Sequence, residues 1–75
     1  MERYKDLSRK SGVIAYEIAN DSISVQFKEG CVYLYTYQSA GRAKIEQMKS
    51  LAIAGQGLNT FINQFAKTLF ASKRC

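Results

Sequence analysis

The chain has 75 residues, 11 Lys and Arg against 6 Asp and Glu, a net charge of +5, and no histidine, proline or tryptophan. That length allows one domain. Without histidine, Ser-His-Asp and Cys-His catalytic pairs and imidazole metal sites are excluded.

The six acids stand singly, with no pair spaced for acid–base work, and Cys31 has no histidine to activate it. No catalytic residue, metal site or cofactor is therefore expected. Hydrophobic residues make up 47% of the chain, with five Tyr and four Phe, so a core is feasible but thin. A homodimer interface is a common remedy for so small a core. Cys31 and Cys75 form no C-x-x-C pair and are expected as free thiols. The charged start, Met1-Glu2-Arg3-Tyr4-Lys5-Asp6, does not read as a signal peptide. No apolar run approaches the roughly 20 residues of a membrane span. A cytoplasmic protein is the expectation.

Residues 1–10 alternate in charge and read as a loosely held arm. Ser11-Gly12 breaks the chain. Val13 to Ala19 reads as a strand with Ile14, Tyr16 and Ile18 on one face. Asn20-Asp21 is a two-residue turn. Ser22 to Lys28 alternates strictly, the cleanest strand signal in the chain. Pairing across that turn sets Ile18 against Ile23, Tyr16 against Val25 and Ile14 against Phe27, all on one face.

A third strand runs from Cys31 to Tyr37, and two registers are open. A two-residue Glu29-Gly30 turn would turn Val32 and Leu34 to the core and the tyrosines outward. A three-residue loop ending at Gly30 would pair Phe27 with Cys31 and turn Tyr33 and Tyr35 inward. Turn chemistry favours the second, because its last position needs a positive φ that Gly30 supplies.

Ser39 is placed to cap a helix reaching about Ala54. Its apolar side is Ala40, Ala43 or Lys44, Ile45, Met48, Leu51 and Ala52, and Arg42, Glu46 and Lys49 form an outward stripe. Gly55-Gln56-Gly57 is a hinge. A second helix, about Leu58 to Ser72, has Leu58, Phe61, Ile62, Phe65 and Leu69 as its buried stripe. The expected fold class is α+β, a three-stranded antiparallel meander packed on one face by a two-helix hairpin. The domain spans residues 11–72, with a tail at 73–75.

Charge is uneven. Residues 11–37 hold one base and three acids, whereas residues 38–75 hold six bases and one acid. The basic character belongs to the helical half and the termini.

Ser11-Gly12-Val13-Ile14, then Ile23-x-Val25-x-Phe27-x-x-Gly30-x-x-Tyr33-x-Tyr35, then Gly57-Leu58-Asn59-Thr60-Phe61-Ile62-Asn63, resembles the KTSC domain. That small family is named for its occurrence at the C-terminus of some lysyl-tRNA synthetases. The resemblance covers roughly residues 11–70 and rests on Tyr33, Tyr35, Gly57, Asn59, Phe61 and Asn63. Two departures are Ala54-Gly55-Gln56-Gly57, where the family has a Ser-x-Gly step, and the missing proline after the third strand. The resemblance implies no established activity. Attachment to a synthetase suggests RNA as a partner, tRNA or single-stranded.

Two functions compete. As a noncatalytic RNA-binding module, the chain would use Arg42, Lys49, Lys67, Lys73 and Arg74 on phosphates and Tyr37, with Tyr35, on bases. The bland alternative makes Tyr33 and Tyr35 core residues and the cations a solvated surface. Asn59 and Asn63, one helical turn apart, would bond to a neighbouring loop or to a base edge. As a self-association or protein-interaction module, the chain would use its outer sheet face: Val13, Ala15, Val32, Leu34 and Thr36 beside Ser24 and Gln26.

Overall fold

The Asn20-Asp21 turn sets the register of the first hairpin. In the computed structural model, which describes residues 1–7 and 11–75, strand β2 (Val13–Ala19) pairs antiparallel with β3 (Ser22–Phe27). Ile18 lies opposite Ile23 and Tyr16 opposite Val25, as the alternation predicts. The third expected pair fails. The register shifts between Val13 and Ala15, so Val13, not Ile14, faces Phe27. This bulge turns Val13 into the core at 1% exposure and leaves Ile14 at 40%. A bulge adds one unpaired residue and inverts the face of everything beyond it.

Strand β4 (Val32–Thr36) joins β3 through the three-residue loop. The Phe27 N–H donates to the Cys31 carbonyl at 3.0 Å, and the Gly30 N–H donates to the Phe27 carbonyl at 2.9 Å. Gly30 has φ 100°, open to glycine and strained for other residues. Val25 then faces Tyr33 and Ile23 faces Tyr35, which brings both tyrosines to the core side.

The sheet has five strands in chain order, where the sequence reading expects three. Strand β1 (Glu2–Arg3) pairs with β2, and β5 (Ser72–Arg74) pairs with β4. Residues expected to form a loose arm instead supply an edge strand and the buried Tyr4. Residues 8–10 of that arm lie outside the described residues. The expected tail also joins the sheet. Arg74 is opposite Val32, so the next residue, Cys75, falls beside Cys31, and the two form a disulfide across 44 residues. The expectation of free thiols, which rested on the rarity of disulfides in the cytoplasm, is corrected: the β4–β5 pairing brings the two sulfurs together.

Helical segments cover one sheet face. A short helix α1 (Tyr37–Ala40) starts two residues before the expected cap. Thr36 is its N-cap, accepting from the Ser39 N–H, while Ser39 returns a bond to the Thr36 backbone, a capping box. Helix α2 (Arg42–Ala54) turns Ile45, Met48 and Ala52 inward and ends at Gly55, whose φ is 80°.

Helix α3 (Leu58–Phe61) runs on as a π-helical turn over Ile62–Ala66 and stops short of the expected Ser72. The wider i→i+5 turn hands the buried position to Ala66 and leaves Phe65 54% exposed, against the expected stripe. Tyr4, Ile23, Val25 and Tyr35 meet Ile45, Met48, Leu58 and Ile62 in one core.

Candidate functional site

The register that turns the tyrosines inward also opens a cleft. It lies between the β2–β3–β4 face and the α3–π helix, with a volume of about 390 Å³. Phe27, Tyr33, Tyr35 and Ile62 form its apolar walls, and Asn59, Asn63, Lys28, Glu29 and Lys67 its polar groups. Such a size and such a mixture of apolar wall and few polar groups are usual for small-ligand sites.

The aromatic wall is held by its own edges. Phe27 meets Tyr33 edge-on with centroids 5.2 Å apart, and Phe70 meets Tyr33 edge-on from 5.0 Å. Tyr33 and Tyr35 lie near parallel at 6.4 Å. Lys73, paired with Tyr33 across β4 and β5, brings its ammonium 5.3 Å from the Tyr33 centroid.

Tyr35 is 1% exposed yet lines the cleft, and its hydroxyl bonds to no described residue. Burial and then the neighbouring Tyr33 push its pKa up to about 12, so it is a neutral donor at ordinary pH. Asn59 sits at the start of α3, one turn before Asn63 in the π turn. Neither amide hydrogen-bonds to a described residue, contrary to the bland reading of these two side chains as loop ties. Lys28 and Lys67 are exposed and in no ion pair with a described residue.

The other expected binding residues lie elsewhere. Tyr37 stands at the far end of β4 from Lys28, beside α2. Its hydroxyl donates to Glu46 Oε2 at 2.6 Å. That bond raises the Tyr37 pKa and lowers that of Glu46. Lys49 lies 3.1 Å from the same carboxylate oxygen and donates to the Asn20 carbonyl at 2.9 Å. Arg42 and Lys49 approach the Tyr37 ring at 5.8 and 5.5 Å. Three residues assigned to RNA are thus engaged with one another and with an acid.

Arg74 faces the opposite side of the sheet, in a row that runs Arg3, Ala15, Gln26, Val32, Arg74 across all five strands. The bulge removes Val13 from that outer face. Gly57 is the turn before α3, with φ 82°, and Phe61 packs on Phe65 at 5.2 Å outside the cleft.

The cleft therefore joins Tyr33, Tyr35, Asn59, Asn63 and Lys67, and leaves Tyr37, Arg42, Lys49 and Arg74 apart. Sequence reading did not assign Gly12, Phe27 and Lys28 to a site. The sequence register carried to the open end of the hairpin would set Gly12 against Glu29, and the bulge shifts Gly12 by one residue to lie beside Lys28. The Lys28 N–H donates to the Gly12 carbonyl at 2.7 Å.

Among the described residues, no cluster of three or more His, Cys, Asp or Glu could hold a metal, and no helix is long and apolar enough to cross a membrane. No family model matches the chain, and neither a curated protein nor a solved structure matches it.

Proposed function

We propose that the chain is a noncatalytic, KTSC-like module that binds single-stranded RNA weakly. One observation carries this reading. Tyr33, Tyr35, Asn59, Asn63 and Lys67, spread over half the chain, line a single cleft with Lys28 at its mouth. Aromatic walls, amide groups and ammonium groups are what an unstacked nucleotide of single-stranded RNA requires. Lys73 beside Tyr33 adds charge on the same side of the sheet. The Tyr37 cluster is a weaker contact surface, because Glu46 offsets its cations.

Labelled tRNA and single-stranded oligonucleotides, titrated at several salt concentrations, test it. Saturable binding to the single strand that weakens with salt is expected. No binding at low salt overturns it.

The rival reading is self-association. Exposed Phe65 and half-buried Phe61 border a shallow hollow with Ala43, Lys44 and Gln47, of about 270 Å³, and this patch supports it better than the outer sheet face. The outer face carries an arginine at each end of its central row, so two copies laid face to face would bring like charges together. Size-exclusion mass of wild type against Phe65→Lys and Leu34→Lys separates the two patches. A wild-type monomer at high concentration overturns both.

A further inference from the structure

The cleft contains one buried hydroxyl that no described residue uses. The Tyr35 side chain is 1% exposed, and its hydroxyl bonds to no described residue. A buried hydroxyl normally has a partner, because an unmade hydrogen bond there is costly. Among the described residues no side-chain polar atom is both fully buried and unpartnered. The small accessible remainder of Tyr35 therefore lies at its hydroxyl, in the cleft that it lines. This is a donor held in place by the core and offered to whatever enters.

Around it stand two primary amides. Each offers a carbonyl acceptor beside two N–H donors. That pairing matches the adjacent donor and acceptor atoms on a nucleobase edge, and it does not match a plain hydrocarbon or a lone anion. The walls are Phe27 and Tyr33 on one side and Ile62 on the other. Lys28 and Lys67, in no ion pair with a described residue, add two cations against the one carboxylate of Glu29, a net positive charge that a phosphate would satisfy and a neutral ligand would not.

We infer that the cleft is a nucleotide pocket, taking one unstacked nucleoside monophosphate unit with its base edge on Tyr35, Asn59 and Asn63 and its phosphate at Lys28 and Lys67. For the source of that unit, a strand end or loop, the inference rests on the RNA-binding reading. The same chemistry would also admit a free nucleotide.

The test is a ¹⁵N-edited NMR titration of the full chain, with side-chain amide signals followed alongside backbone signals. The probes are the four nucleoside monophosphates, ribose 5-phosphate, inorganic phosphate and a hexanucleotide. At least one monophosphate should saturate, shifting the Asn59 and Asn63 side-chain amides, and should bind about tenfold or more tightly than ribose 5-phosphate. Tyr35→Phe should weaken it about fivefold, the effect of one lost hydrogen bond, with the backbone spectrum otherwise kept.

Gly12→Ala is a second probe that leaves Tyr35 in place. Its methyl would lie 3.6 Å from Asn59 Oδ1 and 3.8 Å from Phe27 Cδ1, ordinary contacts for the fold but new bulk on the cleft wall. It should weaken the same ligand.

Tighter binding of the hexanucleotide through the same amides identifies a strand as the source. Monophosphate binding without hexanucleotide binding supports the pocket and overturns the RNA reading. RNA binding that leaves both amides unshifted and is unchanged in Tyr35→Phe overturns the pocket and leaves the RNA reading standing. Equal binding of ribose 5-phosphate, or no binding by any probe, also overturns the pocket.

Discussion

The Tyr4 hydroxyl accepts a hydrogen bond from the Leu58 backbone N–H at 3.3 Å, across 54 residues of chain. Leu58 opens α3, and Gly57 before it has no side chain to cap the helix. Tyr4 therefore ties the first strand to the helix that forms one wall of the cleft. It is 3% exposed and belongs to the core. Tyr4→Phe should cost about 1–2 kcal/mol, because a buried N–H loses its acceptor. Tyr4→Ala should cost about 3–5 kcal/mol, since it also leaves a cavity. Urea unfolding of the three proteins measures both. Equal stabilities would show that the N-terminal residues do not dock.

The disulfide closes a loop of 44 residues. In the chain-entropy account this stabilises the fold by up to about 4 kcal/mol. Cys31→Ser with Cys75→Ser should lower the unfolding free energy by about 2–4 kcal/mol, and a reductant should reproduce the loss in wild type. The backbone amides of Lys73 and Arg74 should show the first gain in hydrogen exchange, because strand β5 is short and exposed. Unchanged protection there would show that the β4–β5 pairing stands without the bridge.

Tyr35 gives a pH signature. Its hydroxyl titrates near 10.0 in the unfolded chain and is pushed up to about 12 in the fold. A raised folded-state pKa means stability fully present below pH 10 and lost as the pH rises through about 12. Alkaline titration by ultraviolet difference absorbance should show a last tyrosine phase near pH 12, after the other tyrosines and together with unfolding. Tyr35→Phe should remove that phase. If the phase survives in the variant, Tyr35 is not the late group.

Gly55 and Gly30 offer a matched pair of alanine substitutions. Both have positive φ, 80° and 100°. A methyl at Gly30 would meet nothing within 4 Å, whereas one at Gly55 would lie 2.7 Å from the Lys5 Cβ. Gly30→Ala should cost about 1 kcal/mol, the backbone term alone. Gly55→Ala should cost more, because Lys5 and the strand before it must shift. Thermal unfolding of the two variants gives the difference, and equal losses would remove the contact argument.

The central meander was legible because its signals are local. The Asn20-Asp21 turn and the alternation from Ser22 to Phe27 share one register, and Gly30 decides between two loops through a φ that other residues resist. The inward tyrosines follow from that single glycine. The bulge at Ile14 was not legible, since Val13 and Ile14 are equally apolar and only packing chooses between them. The short second helix was missed for a related reason. Leu58 to Ser72 has helical spacing throughout, but residues 72–74 pair with β4 and end the helix early.

The site divides in the same way. Residue types named Tyr33, Tyr35, Asn59, Asn63 and Lys67 in advance, but their meeting in one cleft required the helix to cross the sheet at a particular height. Gly12 and Lys28 join it through a hairpin pairing, and Tyr37, Arg42 and Lys49 leave it through contacts with Glu46.

Composition by itself determined that the chain is one small basic domain without histidine, with its positive charge weighted to the helical half and the ends. Only the tertiary structure decided how that charge is used. It brings Lys67 and Lys73 beside the tyrosines, engages Lys49 with Glu46 and sends Arg74 to the other face of the sheet. Local turns and periodicities are written in neighbouring residues. The placing of a charge depends on strand pairing and packing between residues far apart in the chain, which short-range sequence signals do not encode.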